Sequence, residues 1–194
     1  MNLEINDALI PGTKLKKNDM GNVTGLEFLS KVFYISEGVM LSQIREVSGI
    51  DGSTLQNWTK RGWVANARLK KYNIDQVAHI LIINMLRSCI QLDHIAFLLQ
   101  YINGKIDDKS DDIIRDSVLY DYICRILETL TRQDVASKAS IKEVIREKIS
   151  DYEEAMPGAR ERLANALEII VTAYYAALIK RSSDEMLANL MSSY

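Results

Sequence analysis

The sequence has few residues that stop a helix or cross-link a chain. It contains two prolines, nine glycines and two cysteines among 194 residues. So few breaks, together with many Leu, Ile, Ala, Glu, Lys and Arg residues, favour helices. The cysteines, Cys89 and Cys124, form no CxxC pair and have no histidine at metal-ligand spacing. We therefore expect two buried free thiols in a reducing compartment.

Signals for export and for membrane insertion are also lacking. The N-terminal residues MNLEINDALI carry acids and lack the basic-then-apolar layout of a signal peptide. The most apolar run, residues 163–179, contains Asn165, Glu168 and Thr172 and is shorter than the ~20 residues that span a bilayer. We expect a cytoplasmic protein without a membrane partner, in which this run forms a helix buried nearly all round.

Sequence motifs of common enzyme classes are absent as well. The chain has no GxGxxG, P-loop, nucleophile elbow or HExxH. His79 and His94 each lie alone on a predicted helix, and we expect neither to have a paired carboxylate or cysteine. The expectation is a protein that is not an enzyme and that uses no metal or cofactor.

Apolar residues at helical spacing predict a mainly all-α fold. In the first half of the chain we expect helices at about 25–36, from Leu41 to Gly49, from Asp51 or Ser53 through Lys60, from Asn73 or Asp75 onward, and at 92–102. In the second half we expect helices at about 113–130, 140–155 and 159–179, and a short one that starts at Ser182. Thr24 with Glu27 and Ser140 with Glu143 have capping-box spacing, and either Asp51 or Ser53 can cap the third helix. Gly49 is the predicted C-cap of the second helix, and either Asn73 or Asp75 can cap the fourth.

The pattern divides the chain into three segments. Residues 1–24 mix Gly, Pro, Asn and Lys and are predicted to be loosely ordered. Residues 25–104 form the first predicted domain. The polar stretch KIDDKSDD, residues 105–112, is the predicted boundary, and residues 105–194 form a second, helical domain.

Two short helices joined by a glycine-containing turn form a helix-turn-helix pattern between Leu41 and Lys60. The segment that follows is not helix-like. Trp63-Val64 and the run from Leu69 to Tyr72 are predicted to be two extended arms of a small wing. We expect Trp58 and Trp63 to anchor the core, because Trp58 lies three residues after Leu55 on an apolar helix face.

Charge is unevenly distributed over a chain whose net charge is only -2. From Ser53 to Tyr72 there are five basic residues and no acid, whereas six Asp and two basic residues lie between Asp107 and Asp121. A positive lobe can bind phosphates and release counterions. It can also be no more than a solvated face.

The order helix, turn, helix, basic wing ending in Tyr72 and capped helix resembles the DNA-binding domain of MerR-type winged helix-turn-helix regulators. Gly62-Trp63-Val64 and Lys71-Tyr72 fill the wing positions. The block LQNWTKRGW…KKY…ILIINML…YING also resembles an uncharacterised bacterial family, domain of unknown function 1836, which is grouped with MerR-like folds and brings no known activity with it.

The MerR resemblance implies that the second short helix and the wing read duplex DNA. Asn and Gln side chains suit adenine and Lys suits guanine, while wing cations suit the backbone or the minor groove. Ser53, Thr54, Gln56 and Asn57 are the predicted base contacts. Lys60, Arg61, Arg68, Lys70, Lys71 and Tyr72 are the predicted backbone contacts.

The C-terminal half carries a heptad-like apolar seam of Leu163, Leu167, Ile170 and Tyr174. This seam predicts a homodimer interface, and a single buried helix of a monomeric bundle is the alternative. A pocket for a small-molecule effector near Tyr174 and Tyr175 is a further hypothesis. The leading interpretation is a DNA-binding transcriptional regulator. The alternative is an interaction module of the same fold that docks an acidic protein and does not bind DNA.

Overall fold

The computed structural model describes residues 9–34, 38–106, 108, 110–133 and 138–194. Within them the helices are α1 (Gly25–Val32), α2 (Leu41–Ser48), α3 (Gly52–Lys60), α4 (Ile74–Leu86), α5 (Leu92–Asn103), α6 (Asp116–Gln133), α7 (Lys138–Lys148) and α8 (Ala159–Ser192), with strands β1 (Val39–Met40) and β2 (Lys71–Tyr72). The prediction of a mainly helical fold is confirmed. The predicted end of the first helix at residue 36 and positions 1–8, 107 and 109 lie outside the described residues.

Helix α6 is the centre of the packing. It lies against α1, α4, α7 and α8, and Leu119, Tyr120, Ile123 and Ile126 along it are fully buried. Burial of each such side chain contributes about 1.5–3 kcal/mol. One apolar core therefore joins α1 and α4, before the predicted boundary at residues 105–112, to α6, which follows it.

Residues 9–24 pack against this core, which differs from the loosely ordered segment predicted for them. Ile10 is fully buried, and the Tyr120 hydroxyl donates to the carbonyl of Pro11 at 2.7 Å. Gly12 has φ +75, and a Cβ on it would lie 2.3 Å from the backbone oxygen of Leu81. Only glycine fits this approach, so the segment is held closely on α4.

The N-terminus of α1 is capped from α6 and not by the predicted capping box. The Thr24 side chain makes no cap hydrogen bond, and its hydroxyl donates to Glu128 on α6. The Leu26 N–H instead donates to Asp121 Oδ1 at 2.8 Å. A carboxylate from another helix thus satisfies a donor that the first turn leaves without a partner.

Helix α8 is one continuous helix of 34 residues, about 51 Å long at 1.5 Å per residue. The predicted restart at Ser182 does not interrupt it, and Lys180 and Asp184 form an i,i+4 ion pair of 2.6 Å across that point. By length and composition α8 could cross a membrane. However, the part of α8 between Ala159 and Leu178 contributes buried residues to the core.

The two thiols lie in different surroundings. Cys124 on α6 is buried, and this burial raises its pKa to about 12. Cys89 is exposed, contrary to the prediction of two buried thiols, because α4 ends at Leu86 and Cys89 lies in the turn that follows.

Candidate nucleic-acid interface

Helices α2 and α3 are joined by the three residues Gly49, Ile50 and Asp51. Gly49 adopts the left-handed conformation at φ +73, and its N–H donates to the Arg45 carbonyl at 2.9 Å. Ile50 is 1% exposed and pins the turn to the core. This is the helix C-cap that the sequence predicted, in which glycine takes the left-handed position.

Asp51 caps α3, which resolves the choice between Asp51 and Ser53. Its carboxylate accepts hydrogen bonds from the Thr54 N–H at 2.8 Å, the Thr54 hydroxyl at 2.6 Å and the Ser53 hydroxyl at 2.5 Å. The hydrogen bond from the Ser53 side chain, followed by those from Thr54, lowers the pKa of Asp51. Two of the four predicted base contacts are therefore already engaged in the cap.

The outer face of α3 consists of the exposed residues Gln56, Asn57 and Lys60. Leu55 and Trp58 occupy its inner face and are each 1% exposed. In the part of the chain that the structure describes, the side chains of Gln56 and Asn57 make no hydrogen bond. Their amide groups therefore keep their donors and acceptors for a ligand.

The second arm of the predicted wing pairs differently from the prediction. β2 is antiparallel to β1, with Val39 opposite Tyr72 and Met40 opposite Lys71. Trp63 and Val64 are not in a strand. The partner strand precedes α2, so the chain that follows α3 returns to the start of the helix pair.

The tip of this segment, residues 68–71, is a two-residue hairpin that we call the wing hairpin. Arg68 N donates to Lys71 O and Lys71 N to Arg68 O, each at 2.9 Å. Leu69 and Lys70 have φ of 50 and 62. Two left-handed central residues define a type I′ turn, for which Asn-Gly is preferred, and the left-handed conformation costs a residue such as leucine about 1–2 kcal/mol.

The Tyr72 side chain packs into the core of the protein. It is 8% exposed, and burial raises the pKa of its phenol. The strand alternation places Lys71 outward and Tyr72 inward. Tyr72 thus anchors the base of the wing hairpin in the core.

The loop before the wing hairpin is held by α4. Asn73 caps α4, and the Gln76 N–H donates to its Oδ1 at 2.9 Å, while the Gln76 side chain donates to the Asn66 carbonyl at 3.0 Å. His79 Nε2 lies 2.9 Å from the Trp63 carbonyl and its Nδ1 lies 3.2 Å from Asp116 Oδ2. The wing loop is therefore tied to α4 and, through one histidine, to α6.

His79 is a residue whose partners sequence reasoning missed. One ring nitrogen, Nε2, faces the Trp63 carbonyl, and the other, Nδ1, faces the carboxylate of Asp116. The two residues are 37 positions apart, and no local spacing signals such a pair. His79 was expected to lack a carboxylate partner, and that expectation is wrong.

The basic residues of this region point outward. Lys60, Arg61, Arg68, Lys70 and Lys71 are all exposed. Arg61 lies over the ring of the half-buried Trp63, 4.9 Å from its centroid. Among the described residues, Lys60, Arg61, Arg68 and Lys70 have no carboxylate within ion-pair distance. These cations therefore keep their charge for an anionic ligand.

Two acids of the 107–121 stretch, Asp116 and the Asp121 that caps α1, contact other helices. The buried Asp116 contacts His79 and accepts from the Asn103 side chain at 3.4 Å. Asp75 at the start of α4 accepts from Ser117 at 2.6 Å and pairs with Arg115 at 3.1 Å. Burial would raise the pKa of Asp75, but the hydrogen bonds from Ser117 and Arg115 outweigh it and lower that pKa.

The predicted dimer seam is used inside the chain. Leu163, Leu167 and Ile170 are fully buried and Tyr174 is 5% exposed, so these residues pack against the core and leave no surface for a second subunit. Large apolar residues of α8 that are exposed comprise Ile169, on another face of the seam stretch, and, further along, Ile179, Met186, Leu187, Leu190 and Met191.

A cavity of about 310 Å³ lies beside Tyr174, where an effector pocket was predicted, and Asn84, Arg181 and Asp184 also line it. A second cavity, of about 450 Å³, lies beside His79 between the wing loop and the start of α6. Within the described residues, no group of three His, Cys, Asp or Glu side chains is placed to hold a metal ion.

Comparison with known proteins finds a family model that covers α2, α3 and the wing hairpin. A family model described as Domain of unknown function (DUF1836) matches residues 19–123, which run from before α1 into α6. An uncharacterized protein of Bacillus subtilis (strain 168), YkrK, is 25% identical over 166 residues, or 80% of this chain and 71% of the relative. No solved structure matches the chain.

The match includes α2, α3, the wing hairpin and α4, and it extends past residues 105–112 into the first turns of α6. It covers more than half of the chain. The chain therefore belongs to the family defined by the domain of unknown function DUF1836.

Proposed function

We propose that this protein is a cytoplasmic transcriptional regulator that binds duplex DNA through α3 and the wing hairpin. The observation that carries the proposal is a group of exposed cations on or beside these two elements that, among the described residues, have no carboxylate within ion-pair distance: Lys60, Arg61, Arg68 and Lys70. The sequence resemblance to MerR-type winged helix-turn-helix regulators supports the same assignment. In such domains the second helix enters the major groove with its N-terminal residues at the base edges.

The roles within the site follow from exposure and engagement. Gln56 and Asn57 on the outer face of α3 are our candidates for base reading, because bidentate amide contacts suit adenine. Lys60, Arg61, Arg68, Lys70 and Lys71 are candidates for phosphate contacts. Ser53 and Thr54 position the start of α3 through Asp51.

A salt titration on random-sequence duplex tests the proposal. Each phosphate contact contributes about -0.9 to the slope of log K against log salt. With five cations engaged, we expect a slope of about -4 to -5 in fluorescence anisotropy between ~50 and ~200 mM salt. Absence of binding at ~50 mM salt would overturn the proposal. The alternative, an interaction module, would then remain. Recovery of an acidic protein partner in a pull-down performed after nuclease treatment would support it.

We propose that the region beyond residue 104 supplies dimerisation and a small-molecule effector site. Two helix-turn-helix units must be about 34–36 Å apart to reach successive major grooves, which favours a dimer. The buried seam of α8 is not accessible for this contact. The exposed stripe of Ile179, Met186 and Leu190 repeats at intervals of seven and four residues, on one face of the helix.

Charges placed on that stripe should therefore separate the subunits. We expect M186E together with L190E to give a monomer in light scattering, because a buried unpaired carboxylate opposes association. The matched control is A188E with S192E, which adds the same charge to exposed positions on the other face of α8. A wild-type protein that is monomeric at micromolar concentration, or an equal effect of the control, would contradict this interface.

A further inference from the structure

The apex of the wing hairpin is a leucine. Leu69 is 90% exposed, has φ 50, and sits between the exposed cations Arg68 and Lys70 with Lys71 next along the chain. A single exposed leucine is ordinary on a protein surface. Leu69 differs because it is exposed, has a left-handed backbone conformation and lies at the apex of a basic hairpin.

The fold gains nothing from leucine at this position. A side chain that remains 90% exposed buries almost no apolar surface, and asparagine or glycine would suit the type I′ turn better. Residues held in unfavourable backbone regions cluster at functional sites. The choice of leucine therefore points to a contact made with a ligand.

We propose that Leu69 is a wedge that enters the minor groove of duplex DNA and separates adjacent base pairs. This inference rests on the proposed DNA binding of the same surface. Leucine is among the side chains that insert between base steps and kink the duplex away from the protein. Arg68, Lys70 and Lys71 flank it, so phosphates on both edges of the groove have cationic partners while the apolar side chain enters.

The mounting of the hairpin suits this task. A side chain can separate stacked base pairs only if the backbone that carries it is held rigidly in place. β2 is hydrogen-bonded to β1, Tyr72 is buried at its base, and Gln76 and His79 hold the carbonyls of Asn66 and Trp63. The apex is thus exposed while both of its stems are fixed to the core.

Sequence dependence follows from this geometry. Pyrimidine–purine steps such as TA unstack most easily, so a wedge favours a duplex that places such a step beneath the wing. The preference arises from deformability and requires no hydrogen bond from Leu69. We expect roughly 10-fold tighter binding when a flexible step lies there than when a stiff A-tract does.

The test replaces the apex without altering the charges. L69N keeps a residue that tolerates the left-handed conformation and removes the wedge, whereas L69M retains an apolar wedge. Full-length proteins are compared on one duplex set by anisotropy for affinity and salt slope. Energy transfer between end-attached dyes measures bending, and 2-aminopurine at the TA step reports unstacking.

For wild type and L69M we expect a shortened end-to-end distance and increased 2-aminopurine fluorescence. For L69N we expect both signals to be lost, with the roughly 10-fold TA preference reduced to near equality and the salt slope unchanged. If L69N bends DNA and unstacks the step as wild type does, the wedge is disproved while DNA binding stands. If wild type binds no duplex at ~50 mM salt, the proposed function itself fails.

Discussion

Removal of the three wing cations, R68A with K70A and K71A, should weaken binding to duplex DNA on the order of 10³-fold at ~50 mM salt. Each phosphate contact contributes about one decade of affinity between ~50 mM and 1 M salt. The slope of log K against log salt should become shallower by about 2 to 3. Anisotropy with random-sequence duplex measures both quantities.

The control for this variant removes the same number of charges elsewhere. Lys105, Arg132 and Arg146 are exposed and lie on the 105–112 loop, α6 and α7. Their joint replacement by alanine changes the net charge equally, so a contact through the wing predicts a much smaller loss. Equal losses in the two variants would show that the overall charge, and not the wing hairpin, attracts the DNA.

The second large effect concerns stability. W58A should lower the free energy of unfolding by about 3–5 kcal/mol, because Trp58 is 1% exposed between α3 and the core. That is a large part of the ~5–15 kcal/mol that typical domains possess. Urea denaturation followed by circular dichroism measures the change, and W58F, which retains an aromatic ring, should cost less.

The other tryptophan provides the comparison. Trp63 is only half-buried, with its ring covered by Arg61 at 4.9 Å, and its structural link to His79 uses the backbone carbonyl, which W63A retains. We expect W63A to destabilise the protein less than W58A does. A larger loss of stability in W63A than in W58A would contradict the burial of the two side chains seen here.

Features that depend on a few neighbouring residues could be predicted from the sequence. The C-cap at Gly49 and the burial of Leu55 with Trp58 on one face of α3 match the prediction, and the cap of α4 is Asn73, one of the two predicted candidates. These features involve contacts within about one helical turn, where side-chain spacing and backbone preference are decisive.

Other features could not be predicted because their partners are distant in sequence. Asp121 caps α1 from 95 residues away, and β2 finds its partner in β1 instead of in Trp63-Val64. His79 meets Asp116 across 37 residues. Nothing in local spacing selects one distant carboxylate or strand among many, since packing of the whole chain brings them together.

The candidate site also has some features that local sequence determines and others that only the tertiary structure determines. By itself the sequence determined which side chains the α3 and wing region has: five cations without an acid, and amides on the outer face of a short helix. Tertiary structure decided which of them reach solvent. It engaged Ser53 and Thr54 with Asp51, buried Tyr72 and left Leu69 at the apex, because exposure depends on the packing of all elements, whereas charge and hydrogen-bonding capacity belong to each residue alone.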